Sequence, residues 1–323
     1  MHDTLTSSVP TSLRRALGLR RALGLGLCAA AAAATAACSA PGDSAGKDSQ
    51  TVDVVASTPI WADIAKLVGD TAEGGITVDA SSVVEGNGVD PHHFEPSAAD
   101  IAKAHRADLV VAGGGGYDAW LYEPLSDQDS VVHALPLVAH GDLGVDHSHD
   151  EPGDITPIDG NEHVWYAADA INKVAEDIAD YINSEHPEAH ASAQPVLDKT
   201  QELEGRIAKL GEKRYAQTEP IADYLLDPSP MEDVTPAGFR KATLGHGEPA
   251  AADLARFLEA IDNHELDVLI YNPQTETDMT ARIRTAAEKA NIPIVEIGET
   301  PPDGTDFFAY YDSVVHNLEE AAR

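Results

Sequence analysis

The sequence predicts an α/β fold with two lobes, each holding a parallel sheet flanked by helices, and a long helix joining them. Three observations predict it. Strand and helix patterns alternate in the first third of the chain, they alternate again in the last quarter, and the stretch between is helical in composition.

Taken in order, Thr51–Ser57 reads as the first strand, rich in Val and bounded by polar residues. Thr58 is placed to cap a helix with Pro59 at its first position, and Trp61, Ile64, Leu67 and Val68 follow at helical spacing. Residues 75–84 form a second strand pattern, and a loop over 85–96 leads to Ser97-Ala98-Ala99-Asp100, a capping box that opens another helix. Ala107–Gly113 is a short strand of the buried type. The four glycines 113–116 after it resemble a phosphate loop, but no Lys-Ser or Lys-Thr follows, so they read as a tight turn. Two helical stretches occupy the middle. The first, 164–182, puts Val164, Ala168, Ile171, Ala175, Ile178 and Ile182 on one face. The second, 194–213, carries Leu197, Leu203, Ile207 and Leu210, with Pro195 and Gly205 as its weak points. Strand 267–271, helix 278–290, strand 292–297 and helix 306–322 complete the second lobe.

The first 37 residues are a processing segment and contribute nothing to the fold. Arg14, Arg15, Arg20 and Arg21 precede an Ala- and Gly-dominated apolar run, which is short against the about 20 residues a bilayer span needs. The run stops at Thr35-Ala36-Ala37-Cys38, followed by a polar stretch to Gln50. Small residues before a cysteine look like a bacterial lipobox, so Cys38 is the expected lipid attachment and the protein is expected on the extracytoplasmic face of the cell membrane. Cys28 is lost with the signal, which leaves no disulfide in the mature chain. The division expected is a signal peptide (1–37), a flexible lipid-anchor linker (38–50), an N-terminal lobe (51–193) with a histidine-containing loop at 140–161, a linker helix (194–214) and a C-terminal lobe (215–323).

With 55 acidic against 21 basic residues, the formal net charge is -34. A surface of that sign repels nucleic acid and anionic headgroups, which excludes nucleic acid as a partner. Four residues in four separate places are candidate metal ligands: His92 in Asp90-Pro91-His92-His93-Phe94-Glu95-Pro96, His163 in Asn161-Glu162-His163-Val164-Trp165, Glu219 in Thr218-Glu219-Pro220, and Glu299 in Ile297-Gly298-Glu299-Thr300. Two imidazoles and two carboxylates can close a nitrogen–oxygen cage around one divalent cation. Each stands at or just beyond a strand end or at a helix start, where open α/β sheets collect ligands. Two come from each lobe, which places the ion in the cleft between them. His93 competes with His92 at the first position and otherwise points away to hydrogen-bond a carboxylate such as Glu95. His246, between glycines, reads as a solvated loop histidine, and His133, His186, His190, His264 and His316 as surface or helix-face residues. His140, His147 and His149 sit in the acidic loop, as a weak metal-attracting tract or as an idle surface insertion.

In the order and setting of these motifs the chain resembles the zinc- and manganese-binding solute-binding lipoproteins of bacterial ABC importers. The resemblance covers nearly all of the mature sequence. It implies that His92, the first histidine after Pro91, is a ligand and that His163 is the second. In the family an Asp-Pro pair usually precedes that second histidine, where this chain has Asn161-Glu162. Glu219 falls where members carry His or Glu, and Glu299 where many carry Asp. The implied function is a monomeric, non-enzymatic receptor that captures Mn²⁺ or Zn²⁺ as cargo and delivers it to a membrane permease. A metal-dependent extracytoplasmic hydrolase is the alternative, disfavoured because four protein ligands leave no place for water and no His-Glu-x-x-His motif occurs. A receptor for an organic solute needs an aromatic pocket, for which 5% aromatic residues give little material. Two carboxylates lean toward manganese, while the loop histidines favour zinc, and both ions stay open.

Overall fold

The computed structural model describes residues 50–126, 128, 130–139 and 158–323. The signal segment, Cys38, and His140, His147 and His149 of the acidic loop lie outside the described residues. The strands described form two four-stranded sheets, both entirely parallel. Each parallel neighbour must be reached by a crossover, so the alternation read in the sequence becomes helices laid on sheet faces.

The first sheet runs β1 (Gln50–Ala56), β2 (Ile76–Ser82), β3 (Leu109–Ala112) and β4 (Val131–His133), in the order β2-β1-β3-β4. Its helices are α1 (Pro59–Gly69), α2 (Ala98–Ala104) and α3 (Ala119–Tyr122), followed by α4 (Ala168–Glu185). Ser97 and Asp100 make the expected reciprocal cap at the start of α2. Thr58 does hold the cap position of α1, but its hydroxyl caps nothing. Residues Val164–Tyr166, expected as the start of the long helix, form a 3-10 turn, and α4 begins after it. His133 belongs to the edge strand β4 and not to a helix face.

The helix α5 (Gln194–Ile207) carries the chain to the second sheet. Pro195 sits in its first turn, where a missing N–H costs nothing, so no kink results. It stops at Ile207 instead of reaching 214, and Arg214 opens the next strand. The second sheet comprises β5 (Arg214–Gln217), β6 (Glu232–Asp233), β7 (Val268–Tyr271) and β8 (Ile294–Glu296), in the order β6-β5-β7-β8. It is served by α6 (Asp223–Leu226), α7 (Ala237–Leu244), α8 (Ala251–Asp262), α9 (Asp278–Ala290) and α10 (Phe307–Ala321). Both sheets therefore have the same topology, with the connections reversing direction between the first and third strands of each.

Side chains alternate across a strand, and here the alternation sorts them into two kinds of core. Val54, Leu109 and Val111 of the first sheet and Tyr215, Val268 and Ile270 of the second face a single buried cluster. Trp61 and Ile64 of α1, Ile171 and Ile178 of α4, Val196 and Leu203 of α5, and Val314 and Leu318 of α10 fill the same cluster. Their strand neighbours Val55 and Val110 face a separate cluster with Leu121 and Tyr122, while Ala216 and Leu269 face another with Phe239 and Phe257. The two lobes are thus joined through a shared interior, and the strand ends of both open toward one cleft.

Candidate metal centre

Each of the four candidate ligands follows a strand. His92 comes from a 3-10 turn, Pro91–His93, in the loop after β2, where Asp90 accepts from the His92 N–H at 2.9 Å. His163 follows β4, Glu219 lies two residues past β5, and Glu299 three past β8. Strand twist and shared topology bring these loops to a common point. One ligand atom from each of the four residues lies within 4.8 Å of the others. His92 Nε2 is 3.2 Å from His163 Nε2, 3.6 Å from Glu219 Oε1 and 3.5 Å from Glu299 Oε2, while His163 Nε2 and Glu219 Oε1 are 3.7 Å apart.

Neighbouring side chains aim these atoms. His163 Nδ1 lies 2.6 Å from Asn161 Oδ1, an atom that can only accept, so Nδ1 carries a proton and Nε2 is the nitrogen turned to the cleft. Asn161 is itself oriented, since its amide donates to the Pro220 carbonyl at 2.6 Å and to Asp223 at 2.9 Å. Asp223 is paired in turn with Arg240 at 2.8 Å. Asn272, at the end of β7, donates to both carboxylates: to Glu219 Oε2, and to Glu299 Oε1 at 3.0 Å. Thr275 donates to Glu219 Oε2 at 2.8 Å, which leaves Oε1 for the histidines. Tyr117 donates to Glu299 Oε2 at 2.7 Å, and the Gln274 side chain accepts from the Glu299 N–H at 2.7 Å. Glu162 Oε1 is 3.1 Å from His92 Nδ1.

The glycine run supplies Tyr117. Gly114 has φ +76°, and a Cβ there would stand 2.0 Å from the Leu135 carbonyl oxygen, so only glycine fits. The N–H groups of Gly113 and Gly114 are taken by the Asp118 carboxylate at 2.6 and 3.0 Å. A turn whose donors are already used cannot cradle a phosphate, in keeping with the sequence reading. Burial pushes Asp118 up to about 6 against the hydrogen bonds it accepts.

Sequence reasoning placed the four ligand candidates together and missed those that aim them. Tyr117, Asn272, Gln274 and Thr275 carry no motif, and Asn161 and Glu162, though inside the His163 motif, give no sign of their roles. Position just past a buried strand end was the one available signal, and it applies to Asn272. Two other histidines stand beside the site, and His246 is exposed in the turn after α7, as read. His93 is exposed and bonded through Nδ1 to Asp90 at 2.8 Å, so it does point away, but its partner is not Glu95. His246 is not remote from the site: its Nε2 is 3.7 Å from Glu162 Oε1, and its ring lies 5.3 Å from that of His92. A cavity of about 550 Å³, lined by His92, Glu219, His246, Phe239 and Met279, leads from solvent to the cluster.

A proton is shared where an ion would sit. Burial pulls His92 toward its neutral form, but Glu299, Glu162 and Glu219 overrule it and raise its pKa from 6.5 to about 10. Burial raises Glu219, yet the hydrogen bond and charge of His163 and the charge of His92 outweigh it, and the carboxyl falls to about 2. Glu299 goes the other way: burial, with Glu219 nearby, lifts it despite His92.

A family model described as zinc-uptake complex component A, periplasmic (ZnuA), matches residues 54–321. Two curated relatives are zinc-binding lipoproteins AdcA from Streptococcus pneumoniae strains R6 and TIGR4. They are 24% identical over 251 residues and 25% identical over 257, in each case 72% of this chain and 47% of the relative. The chain spans about half the length of the curated relatives it matches. Among solved structures, one of ZnuA overlays 85% of this chain and 100% of its own at TM-score 0.61 and 17% identity. The laminin-binding protein Lmb of Streptococcus agalactiae overlays 84% of this chain and 97% of its own, at TM-score 0.59 and 17% identity. Zn(II)-bound AdcA from Streptococcus pneumoniae overlays 84% and 58%, at 0.55 and 18%. At such identities the structural likeness is one of fold.

The raised pKa of His92 has a consequence for the metal-free protein. Its stabilising pairing is complete below pH 6.5, the unfolded value, and is lost as pH rises through about 10. Glu299 has the same sign, from its ordinary value upward, whereas the lowered Glu219 adds stability above pH 4.5 that is lost as pH falls through about 2. The thermal midpoint of the metal-free protein is expected to fall between pH 6.5 and 10, and the decline should flatten in His92→Gln. An equally steep decline in the variant would show that His92 is not the group responsible.

Proposed function

This chain belongs to the zinc-uptake complex component A family, and from that premise we propose that it is an extracytoplasmic solute-binding lipoprotein of a metal ABC importer. It captures a divalent transition metal, zinc in the first place, and delivers it to the membrane permease. The observation that carries this reading is the convergence of two imidazole and two carboxylate donors across the cleft between the lobes. Four donors held at about 2.0–2.2 Å from a tetrahedral ion stand about 3.3–3.6 Å from one another. Four of the six contacts here, from 3.2 to 3.7 Å, bracket that range, and the whole set lies within 4.8 Å.

His92, His163, Glu219 and Glu299 are the proposed ligands, with the two carboxylates neutralising the dication. A closed set of four protein donors suits holding cargo, whereas a catalytic zinc keeps one position open for water, so the hydrolase reading is set aside. The same closed set favours zinc, while the two carboxylates keep manganese as second choice. Cys38 is the proposed lipid attachment, holding a monomeric receptor domain at the outer face of the membrane. No helix among the described residues is long and apolar enough to cross it.

His92→Ala, His163→Ala, Glu219→Ala and Glu299→Ala are each expected to weaken zinc binding, and His93→Ala to leave it unchanged, by competition with a chromophoric chelator. Zinc at roughly a hundred to a thousand times the dissociation constant should stabilise the wild type by about 2.7–4.1 kcal/mol. Four alanine variants that bind like the wild type would refute the ligand set.

Cys38→Ser should move the protein from the membrane fraction to the soluble one with its zinc affinity intact. A wild-type chain that is already soluble and unlipidated would end the anchor proposal.

The cargo is best read in cells. A strain lacking this protein should fail to accumulate zinc under limitation and recover on added zinc alone. Recovery on manganese alone would reverse the assignment of the ion, and recovery on neither would remove the receptor reading.

A further inference from the structure

We propose that Glu162 is a positioning residue for His92, holding the imidazole through Nδ1 so that Nε2 faces the cargo ion. The inference rests on the proposal above that His92 is a ligand. Glu162 Oε1 and His92 Nδ1 are 3.1 Å apart in ion-pair contact, both are buried, and neither atom has a hydrogen-bond partner among the described residues. Glu162 is 3% exposed, so its carboxylate has little water to turn to. A buried carboxylate is costly without a cationic or N–H partner, and the imidazole is the partner within reach. His246 lies on its other flank at 3.7 Å. The rings of Tyr117 and His163 wall His92 in edge-on at centroid distances of 4.8 and 5.2 Å. Those walls fix the plane of the ring, but they do not distinguish one nitrogen from the other. Glu162 does.

The neighbouring residue sharpens the point. Two adjacent residues, Asn161 and Glu162, serve the two imidazoles. Asn161 orients His163 with a neutral amide oxygen at 2.6 Å. Glu162, one residue along, stands behind His92 with a carboxylate. An orienting carboxylate makes its imidazole a stronger donor to a metal than an amide does. The outer layer thus sets a carboxylate directly behind the ligand on the loop after β2.

The test uses the mature chain and zinc, with affinity from chelator competition and NMR of the imidazole nitrogens to report which one holds the metal. Glu162→Gln keeps the shape and removes the charge, and is expected to weaken zinc by about 10–100-fold. Glu162→Ala leaves the ring unheld and should give a mixture of Nδ1- and Nε2-bound His92. Combining Asn161→Asp with Glu162→Gln puts the charge behind His163 instead of His92, and should leave His92 as poorly held as in Glu162→Gln alone. A Gln variant that binds as tightly as the wild type overturns the proposal, as does an Ala variant whose His92 stays bound through Nε2 alone. Full recovery in the combined variant also overturns it, because the charge then acts on the site as a whole and not through His92. If His92→Ala itself binds zinc as tightly as the wild type, the ligand reading has failed and not the role of Glu162.

Discussion

A continuous layer of buried side chains runs from Val54 and Val111 through Trp61, Ile171, Val196 and Leu203 to Val314 and Ile270. The sheets cannot part without wetting it. At about 25 cal/mol per Å², exposing even ~400 Å² of apolar surface costs about 10 kcal/mol, as much as a whole domain's usual stability. The cleft is consequently set at an ion's width by the interior behind it, and the freedom left to the site resides in its loops. The loop carrying His92 is tied across the cleft by Gln274 Nε2 donating to the Val89 carbonyl at 3.0 Å and Thr300 Oγ1 to that of Gly86 at 2.9 Å.

Within that frame the governing difficulty is charge. Glu162, Glu219 and Glu299 crowd two imidazoles in a region largely closed to water, on a chain whose net charge is already -34. Directed hydrogen bonds make the crowd tolerable. Thr275, Tyr117 and Asn272 each take a carboxylate oxygen, and the proton on His92 supplies the positive charge. A dication replaces that proton with twice its charge at the same place, which is a physical reason for such a cluster to prefer metal over hydrogen ion.

Much of this was legible in the sequence. Strands β1, β3 and β7 and helices α1, α9 and α10 follow from periodicity and end signals, because each is long enough or apolar enough to leave a pattern. Strand β4 has three residues and β6 has two, Glu232 and Asp233, which hold their places through pairing with a neighbour and leave no apolar alternation to read. Helices α6 and α7 are short and carry few repeats of their period, whereas α8 was missed although Leu254, Phe257 and Ile261 recur in it at helical spacing. The ligand candidates could be read because they sit in motifs at strand ends. The residues that aim them could not, because a contact such as Tyr117 with Glu299 joins positions 182 apart in the chain. Local sequence holds no trace of a partner chosen by folding.

Asn272 has one further consequence. Its single amide group gives one N–H to Glu219 and the other to Glu299, while its oxygen accepts from the Gln274 N–H at 2.9 Å and keeps the group from turning over. Two acids that lie far apart along the chain are thereby yoked to one rigid crosspiece at the end of β7. Removing either acid frees an amide hydrogen and loosens the other, so their energetic contributions do not add and neither has a separate value. The pair behaves as one component with two faces.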